Sequence, residues 1–263
     1  MQEECIRIIP KRKFRIVMCA CSNNGKSSSI NNILSALKCD NSRTVNDGEG
    51  ERHITERYSE YMMLIGNSTK SPFVICDSPG FIEESNDHIE GLQTEVMKSI
   101  IMGKFKSGEK VNYKTMTLED LAKKDTKQDC AVCVFFVIDV RRVNMEMKQS
   151  AAFKSMKNIL EFVQRNDIKA AFLLTKCDEF NFKVKKDPKH IYKSKSIEEK
   201  IRIVSGQFKF SINRIFPIVN DTEQIWTDND RMKQSLIALR QVMGDISSNL
   251  TRRVDVPADI NLQ

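Results

Sequence analysis

Phe14-Arg15-Ile16-Val17-Met18-Cys19 runs directly into Ala20-Cys21-Ser22-Asn23-Asn24-Gly25-Lys26-Ser27-Ser28. The apolar run reads as a buried strand, the small residues after it as a tight turn, and the segment from Lys26 as the start of an amphipathic helix. Gly-Lys-Ser at a strand-to-helix junction is the phosphate-binding pattern G-x-x-x-x-G-K-[S/T], here with Ala20 in the place of the first glycine. In such a loop successive backbone N–H groups and the helix N-terminus wrap a phosphate. The pattern assigns Asn23, Asn24, Gly25, Lys26, Ser27 and Ser28 to that cradle. Lys26 reaches the outer phosphates, and the Ser27 hydroxyl takes a magnesium ion.

Along the rest of the chain, strand-like runs recur at Phe14–Cys19, Tyr58–Ile65, Phe73–Cys76, Cys130–Ile138, Ala170–Thr175 and Arg214–Val219. Helical periodicity lies between them. Phe153, Met156, Leu160 and Val163 fall on one stripe, and Met232, Leu236, Leu239, Met243, Ile246 and Leu250 form a seam after Asp228 or Asp230 as N-cap. Strands alternating with helices predict an α/β, three-layer fold of the P-loop NTPase kind, a mostly parallel sheet with helices on both faces. Two polar stretches interrupt the alternation: Asp40–Arg57, which reads as a mobile loop, and Lys104–Asp129, with one short helix around Leu118–Lys123. The expectation is one domain over residues 14–250, with tails 1–13 and 251–263.

A second motif is Phe73-Val74-Ile75-Cys76-Asp77-Ser78-Pro79-Gly80. A buried strand ending in Asp-x-x-Gly suits a nucleotide hydrolase: Asp77 holds magnesium through a water and the Gly80 N–H meets the terminal phosphate. Read alone, Asp-Ser-Pro-Gly is equally a common turn. The third motif, Ala171-Phe172-Leu173-Leu174-Thr175-Lys176-Cys177-Asp178, ends an apolar strand in Thr-Lys-x-Asp. The Asp178 carboxylate can accept two hydrogen bonds from guanine, a donor pair that adenine lacks, worth about 1–3 kcal/mol. The Lys176 stem lies over the base plane. Three such motifs in order, each at the C-terminal end of a strand, point to one nucleotide site. Thr55 is the candidate for completing the magnesium shell, with Thr44 as competitor, and Asn220 lies where a backbone N–H would meet guanine O6.

The composition excludes other classes. The longest apolar run, Cys130–Val140, is too short to span a bilayer, and the N-terminus carries no apolar signal region. Eight irregularly spaced cysteines fit reduced cytosolic thiols. Cys130 and Cys133, read as residues of one strand, face opposite ways and make no redox or zinc pair. Lysines are scattered and concentrate chiefly in the loop from Lys183 to Lys195, with no regular alternation of basic and aromatic residues. The net charge of +7 is therefore not read as a nucleic-acid surface, and no nucleic-acid partner is expected.

With these residues in view the chain resembles the interferon-induced protein 44 GTPase-like group, within the Ras-like GTPase class. The resemblance runs from about Phe14 to Leu250. It rests on Gly25-Lys26-Ser27-Ser28, Ile54-Thr55-Glu56-Arg57-Tyr58, Pro72–Gly80, Ile100-Ile101-Met102-Gly103, Cys133–Asp139, Leu173–Asp178 and Ser235–Arg240. It implies a cytoplasmic, immune-associated protein that binds GTP and GDP with Mg2+. The departures are Ala20, Asn23, Asn24 and Pro79. Phe81 stands where many GTPases place a water-orienting glutamine, and a phenyl ring cannot hydrogen-bond that water. Lys26 and Thr55 are the candidate catalytic groups, turnover is expected to be slow, and acceleration would need a protein partner or a GTP-dependent homodimer. The alternative is a pseudo-GTPase, an interaction module that keeps the fold and has lost useful nucleotide affinity.

Overall fold

The computed structural model describes residues 13–38, 57–66, 71–82, 87–113, 115–126, 128–144, 147, 150–220 and 229–254. Thr44, Thr55 and nearly all of the Asp40–Arg57 stretch lie outside them. The strands are β1 (Phe14–Ala20), β2 (Ser59–Met62), β3 (Phe73–Asp77), β4 (Cys133–Asp139), β5 (Lys169–Thr175) and β6 (Ile215–Pro217). They form one sheet in the order β2-β3-β1-β4-β5-β6. Only β2, at the edge, runs antiparallel. The other pairings are parallel, and all seven residues of β1 and of β4 are buried. Their near-continuous apolar runs are what a strand covered on both faces requires.

Period-two alternation splits the core into two layers. Val17, Cys19, Val134, Phe136, Ile138, Phe172 and Leu174 face one way. They pack under α2 (Asp87–Ile101), α4 (Ala151–Arg165) and α7 (Lys195–Phe208). The Phe172 ring lies 5.1 Å from Phe136, 4.8 Å from Phe208 and 5.0 Å from Phe210 by centroid. Ile16, Met18, Ala20, Phe135, Val137 and Leu173 face the other way, under α1 (Lys26–Lys38) and α8 (Asn229–Val254).

The buried face of α8 is turned slightly from the seam of large side chains expected for it. Gln234, Ser235, Ala238, Leu239, Val242 and Ile246 are buried, while Leu236 and Met243 are half-buried. Two polar anchors set this rotation: Asn32 Nδ2 donates to Ser235 Oγ at 2.7 Å, and Gln234 Oε1 accepts from Val219 N at 2.9 Å. The small Ser235 and Ala238 side chains then allow α1 to approach closely.

Lys104–Asp129 is polar in sequence, yet Phe105, Val111, Tyr113 and Leu121 bury themselves in the first core layer. Its short helix is α3 (Leu118–Ala122), started by a capping box between Thr117 and Asp120. The segment closes on itself where Gln128 N donates to Gly103 O at 3.1 Å. Gly103 has φ +80°, and a Cβ there would lie 2.3 Å from Gln128 O, so no other residue fits this corner. The lysine-rich loop also contains structure, α5 (Cys177–Phe180), α6 (Phe182–Lys186) and a 3-10 turn over Pro188–Lys193, pinned by buried Val184 and Ile191. Cys130 is exposed and precedes β4, whose first residue is Cys133, so the two cysteines do not share a strand as expected.

Arg15, in β1, is fully buried. It donates to Tyr58 Oη at 2.5 Å, to the carbonyls of Ile100 and Asp129 at 2.9 Å each, and to Glu60 at 3.3 Å. A buried guanidinium is tolerable only when its donors are met in this way. The cluster ties β1 to the Tyr58–Glu60 edge and to the end of α2, leaving the opposite end of the sheet free for the site.

Candidate functional site

The site is built at the C-terminal ends of β1, β3, β4 and β5. Ala20 is the last residue of β1, fully buried, its methyl in the core under α1 and α8. The missing first glycine of the phosphate motif is therefore a strand residue. The turn proper begins at Cys21 and needs left-handed backbone at two positions, Asn23 (φ +61°) and Gly25 (φ +77°). Asparagine is among the few side chains that accept this conformation, which is why the Asn-rich turn can close at all. At Gly25 a Cβ would lie 3.2 Å from Asn220 Nδ2 and 3.5 Å from Thr175.

Three neighbours hold the turn. Thr175 Oγ1 donates to Asn24 O at 2.7 Å, so the end of β5 is fastened directly to the phosphate loop. Asn24 Nδ2 donates to Val137 O in β4 at 3.2 Å. Asn220 Nδ2 donates to Gly25 O at 3.2 Å and to Ser29 Oγ at 3.0 Å. The first N–H groups of α1 have no intrahelical acceptor and project from this turn, which is the anion-binding geometry of a helix N-terminus.

Lys26 and Ser27 converge on the carboxylate of Asp77 at the end of β3. The Lys26 ammonium pairs with Asp77 Oδ1, and Ser27 Oγ donates to Oδ2 at 3.2 Å. Lys26 is 6% and Asp77 3% exposed. Ser27 and Asp77 offer hard oxygen donors of the kind magnesium prefers. Among the described residues no group of three or more His, Cys, Asp or Glu could hold a metal alone, so waters or phosphate oxygens would complete a shell here.

Beyond Asp77 the chain stays against the phosphate turn. The Ser78 hydroxyl donates to Met18 O, Phe81 N to Ala20 O at 2.9 Å, and Ser22 N to Phe81 O at 3.1 Å. Gly80 lies so close that a Cβ would be 2.9 Å from Ser22 N and Oγ. The Phe81 ring is fully buried in the first core layer, and its backbone hydrogen-bonds the turn.

The Thr-Lys-x-Asp segment turns sharply at Lys176, whose φ of +58° starts α5. Asp178 sits half-buried in the first turn of α5, and among the described residues nothing hydrogen-bonds or ion-pairs its carboxylate. Lys176 Nζ lies 3.7 Å from Asp139 Oδ2. Asp139, at the end of β4, also binds Arg141 through its guanidinium at 2.6 Å and its backbone N–H at 2.9 Å. Burial alone would raise the Asp139 carboxyl; the hydrogen bonds and charge of Arg141, helped by Lys176, outweigh it and hold it below the usual carboxylate range. Arg141 also pairs with Glu179, so it is committed to bracing this corner, and Arg57 donates to Gly108 O at 3.0 Å. Around the turn, burial pushes the Cys19 and Cys177 thiols up, which keeps both neutral.

The structure thus gathers Asn23, Asn24, Gly25, Lys26, Ser27, Ser28, Asp77, Gly80, Thr175, Lys176, Asp178 and Asn220 along one edge of the sheet. Motif reasoning missed the bracing roles of Asp139, Arg141 and the Asn220 side chain. A strand ending in Ile-Asp before Arg141-Arg142 was the available signal for the first two.

No family model matches this chain. Among solved structures, a dimerization-deficient mutant of Toc33 from Arabidopsis thaliana matches with a TM-score of 0.52 and 12% identity, covering 94% of this chain and 88% of that one. A probable GTP-binding protein, EngB, matches with a TM-score of 0.49 and 16% identity, over 88% of this chain and 99% of that one. The likeness to Toc33, at its level of identity, shows the fold alone: a mostly parallel six-stranded sheet with helices on both faces.

Proposed function

We propose that this chain binds GTP and GDP, with Mg2+, along the edge formed by the phosphate turn, Asp77 and Asp178. The observation that carries the reading is the convergence of Lys26 and Ser27 on Asp77 beside a loop fastened by Thr175 to the Thr-Lys-x-Asp turn. A phosphate-reaching cation, two magnesium-compatible oxygens and a carboxylate free to accept from guanine then serve one ligand. Lys26 would exchange Asp77 for the outer phosphates, and the metal would lie between Ser27, Asp77 and phosphate oxygen. Thr55 is retained as a candidate magnesium and catalytic residue on the sequence pattern alone. Slow hydrolysis is supported by Phe81, whose buried ring offers nothing to orient a water, so acceleration would fall to a partner or a GTP-dependent homodimer.

The resemblance to the interferon-induced protein 44 group extends this to a cytoplasmic, immune-associated protein with one domain over residues 14–250. No helix among the described residues is long and apolar enough to cross a membrane. The second reading, a pseudo-GTPase, is favoured by one observation: the Ser22 N–H is already given to Phe81 O, and Gly80 is packed against Ser22 where a terminal phosphate would need room.

Isothermal titration with GTP and GDP in magnesium separates the two. The nucleotide reading expects saturable binding that Lys26→Ala weakens about 10–100-fold, the loss of one charge-assisted contact. Absence of binding, or a Lys26→Ala variant equal to the parent, would leave only the interaction module.

A further inference from the structure

Behind the phosphate turn, on the side of the sheet covered by α4 and α7, lies a cavity of about 350 Å³. Cys21 and Asn24 of the turn form one wall, and Met147, Phe153, Met156 and Phe208 form the others. Lys26, Asp77, Thr175 and Asp178 do not line it; Asn24 is the residue it shares with the candidate nucleotide edge. The volume lies in the range of small-molecule sites. It is also roughly twice the ~150 Å³ that holds a benzene ring in an apolar cavity, which leaves room for a fused bicycle.

One polar group of this wall is incompletely used. Asn24 is 3% exposed, and its Nδ2 donates to Val137 O at 3.2 Å, which fixes which end of the amide carries the oxygen. Asn24 Oδ1 is buried and, among the described residues, accepts no hydrogen bond. Native structures rarely leave such an atom without a donor. Arg142, Asn144 and Ser150 also line the cavity, and the aromatic rings and thioethers among its other groups accommodate flat apolar molecules by edge and sulfur contacts.

We propose that this cavity binds a small, flat, apolar molecule carrying one N–H or O–H donor, with the donor on Asn24 Oδ1 and the ring against the Met and Phe side chains. The site stands whether or not guanine nucleotide binds, because its test is run on nucleotide-free protein. The full chain, labelled at its methionine methyls and free of nucleotide, is titrated by NMR with indole and with 1-methylindole, the same ring without its donor. The expected result is saturable shifts of the Met147 and Met156 methyls, with 1-methylindole binding about tenfold more weakly, the equivalent of one hydrogen bond. Asn144→Trp, at an exposed residue of the cavity rim, should abolish the response to both probes while the fold persists. Asn24→Ala should bring the two probes to equal affinity. Absence of saturable shifts in the parent, or a response that survives Asn144→Trp, overturns the site. Equal affinity of the two probes for the parent overturns the assignment of the donor to Asn24.

Discussion

Lys26 and Asp77 are both almost fully buried and neutralise each other, so each depends on the other in the ligand-free protein. Removing one partner strands a charge at a cost of about 3–5 kcal/mol, far more than a surface pair would show. Asp77→Ala should therefore lower the stability of nucleotide-free protein by that order in urea denaturation, and the double variant Asp77→Ala with Lys26→Met should recover most of it. Equal losses in the single and double variants would mean the pair is not coupled. Asp139 makes a different prediction. Its carboxyl is lowered in the folded state, so its contribution is present above the unfolded value, near pH 4, and is lost as pH falls through the folded value. As pH falls below about 4 the parent should lose stability faster than Asp139→Asn. Identical acid slopes would contradict the Arg141 bracing. The motif residues were legible because nucleotide chemistry restricts their types. The buried Arg15 was not, because nothing local marks a charge whose partners lie 43 to 114 residues along the chain.

Among the elements, the phosphate turn is defined by backbone conformation more than by glycine count. Gly25→Ala forces a Cβ into left-handed backbone and against Asn220, and should cost about 1–2 kcal/mol together with loss of nucleotide binding in titration. Ala20→Gly, which restores the full sequence motif, does the opposite of what the motif suggests. Ala20 is a buried strand residue, so the change should lower stability by about 0.5–1 kcal/mol and leave GDP affinity unchanged. An increase in affinity would show that Ala20 belongs to the cradle after all. All six strands were readable from apolar runs, with ends displaced where a run outlasts its pairing, as Cys130 does before β4. The rotation of α8 was not readable, because Ser235 and Gln234 are turned inward by hydrogen bonds to Asn32 and Val219 rather than by hydropathy. Phe105, Val111, Tyr113 and Leu121 were hidden for a related reason: single apolar residues in a polar stretch carry no period.

Across the fold, the strand order places β1 between β3 and β4, with β5 beyond, so motifs far apart in sequence end at one edge. A ligand spanning that edge joins elements from both core layers and should raise the melting temperature of the entire domain. At about 100 times its dissociation constant, GDP with magnesium should add about 2.7 kcal/mol, and ATP at the same concentration should add little. Everything proposed for this edge depends on its reading guanine, and Asp178 is the residue that would read it. Calorimetric titration of GDP and xanthosine diphosphate into the parent and into Asp178→Asn puts that dependence to the sharpest test. The expected outcome is a parent that prefers GDP and a variant that prefers the xanthine nucleotide. A parent that binds neither, or a variant that keeps the guanine preference, would refute guanine recognition at this edge.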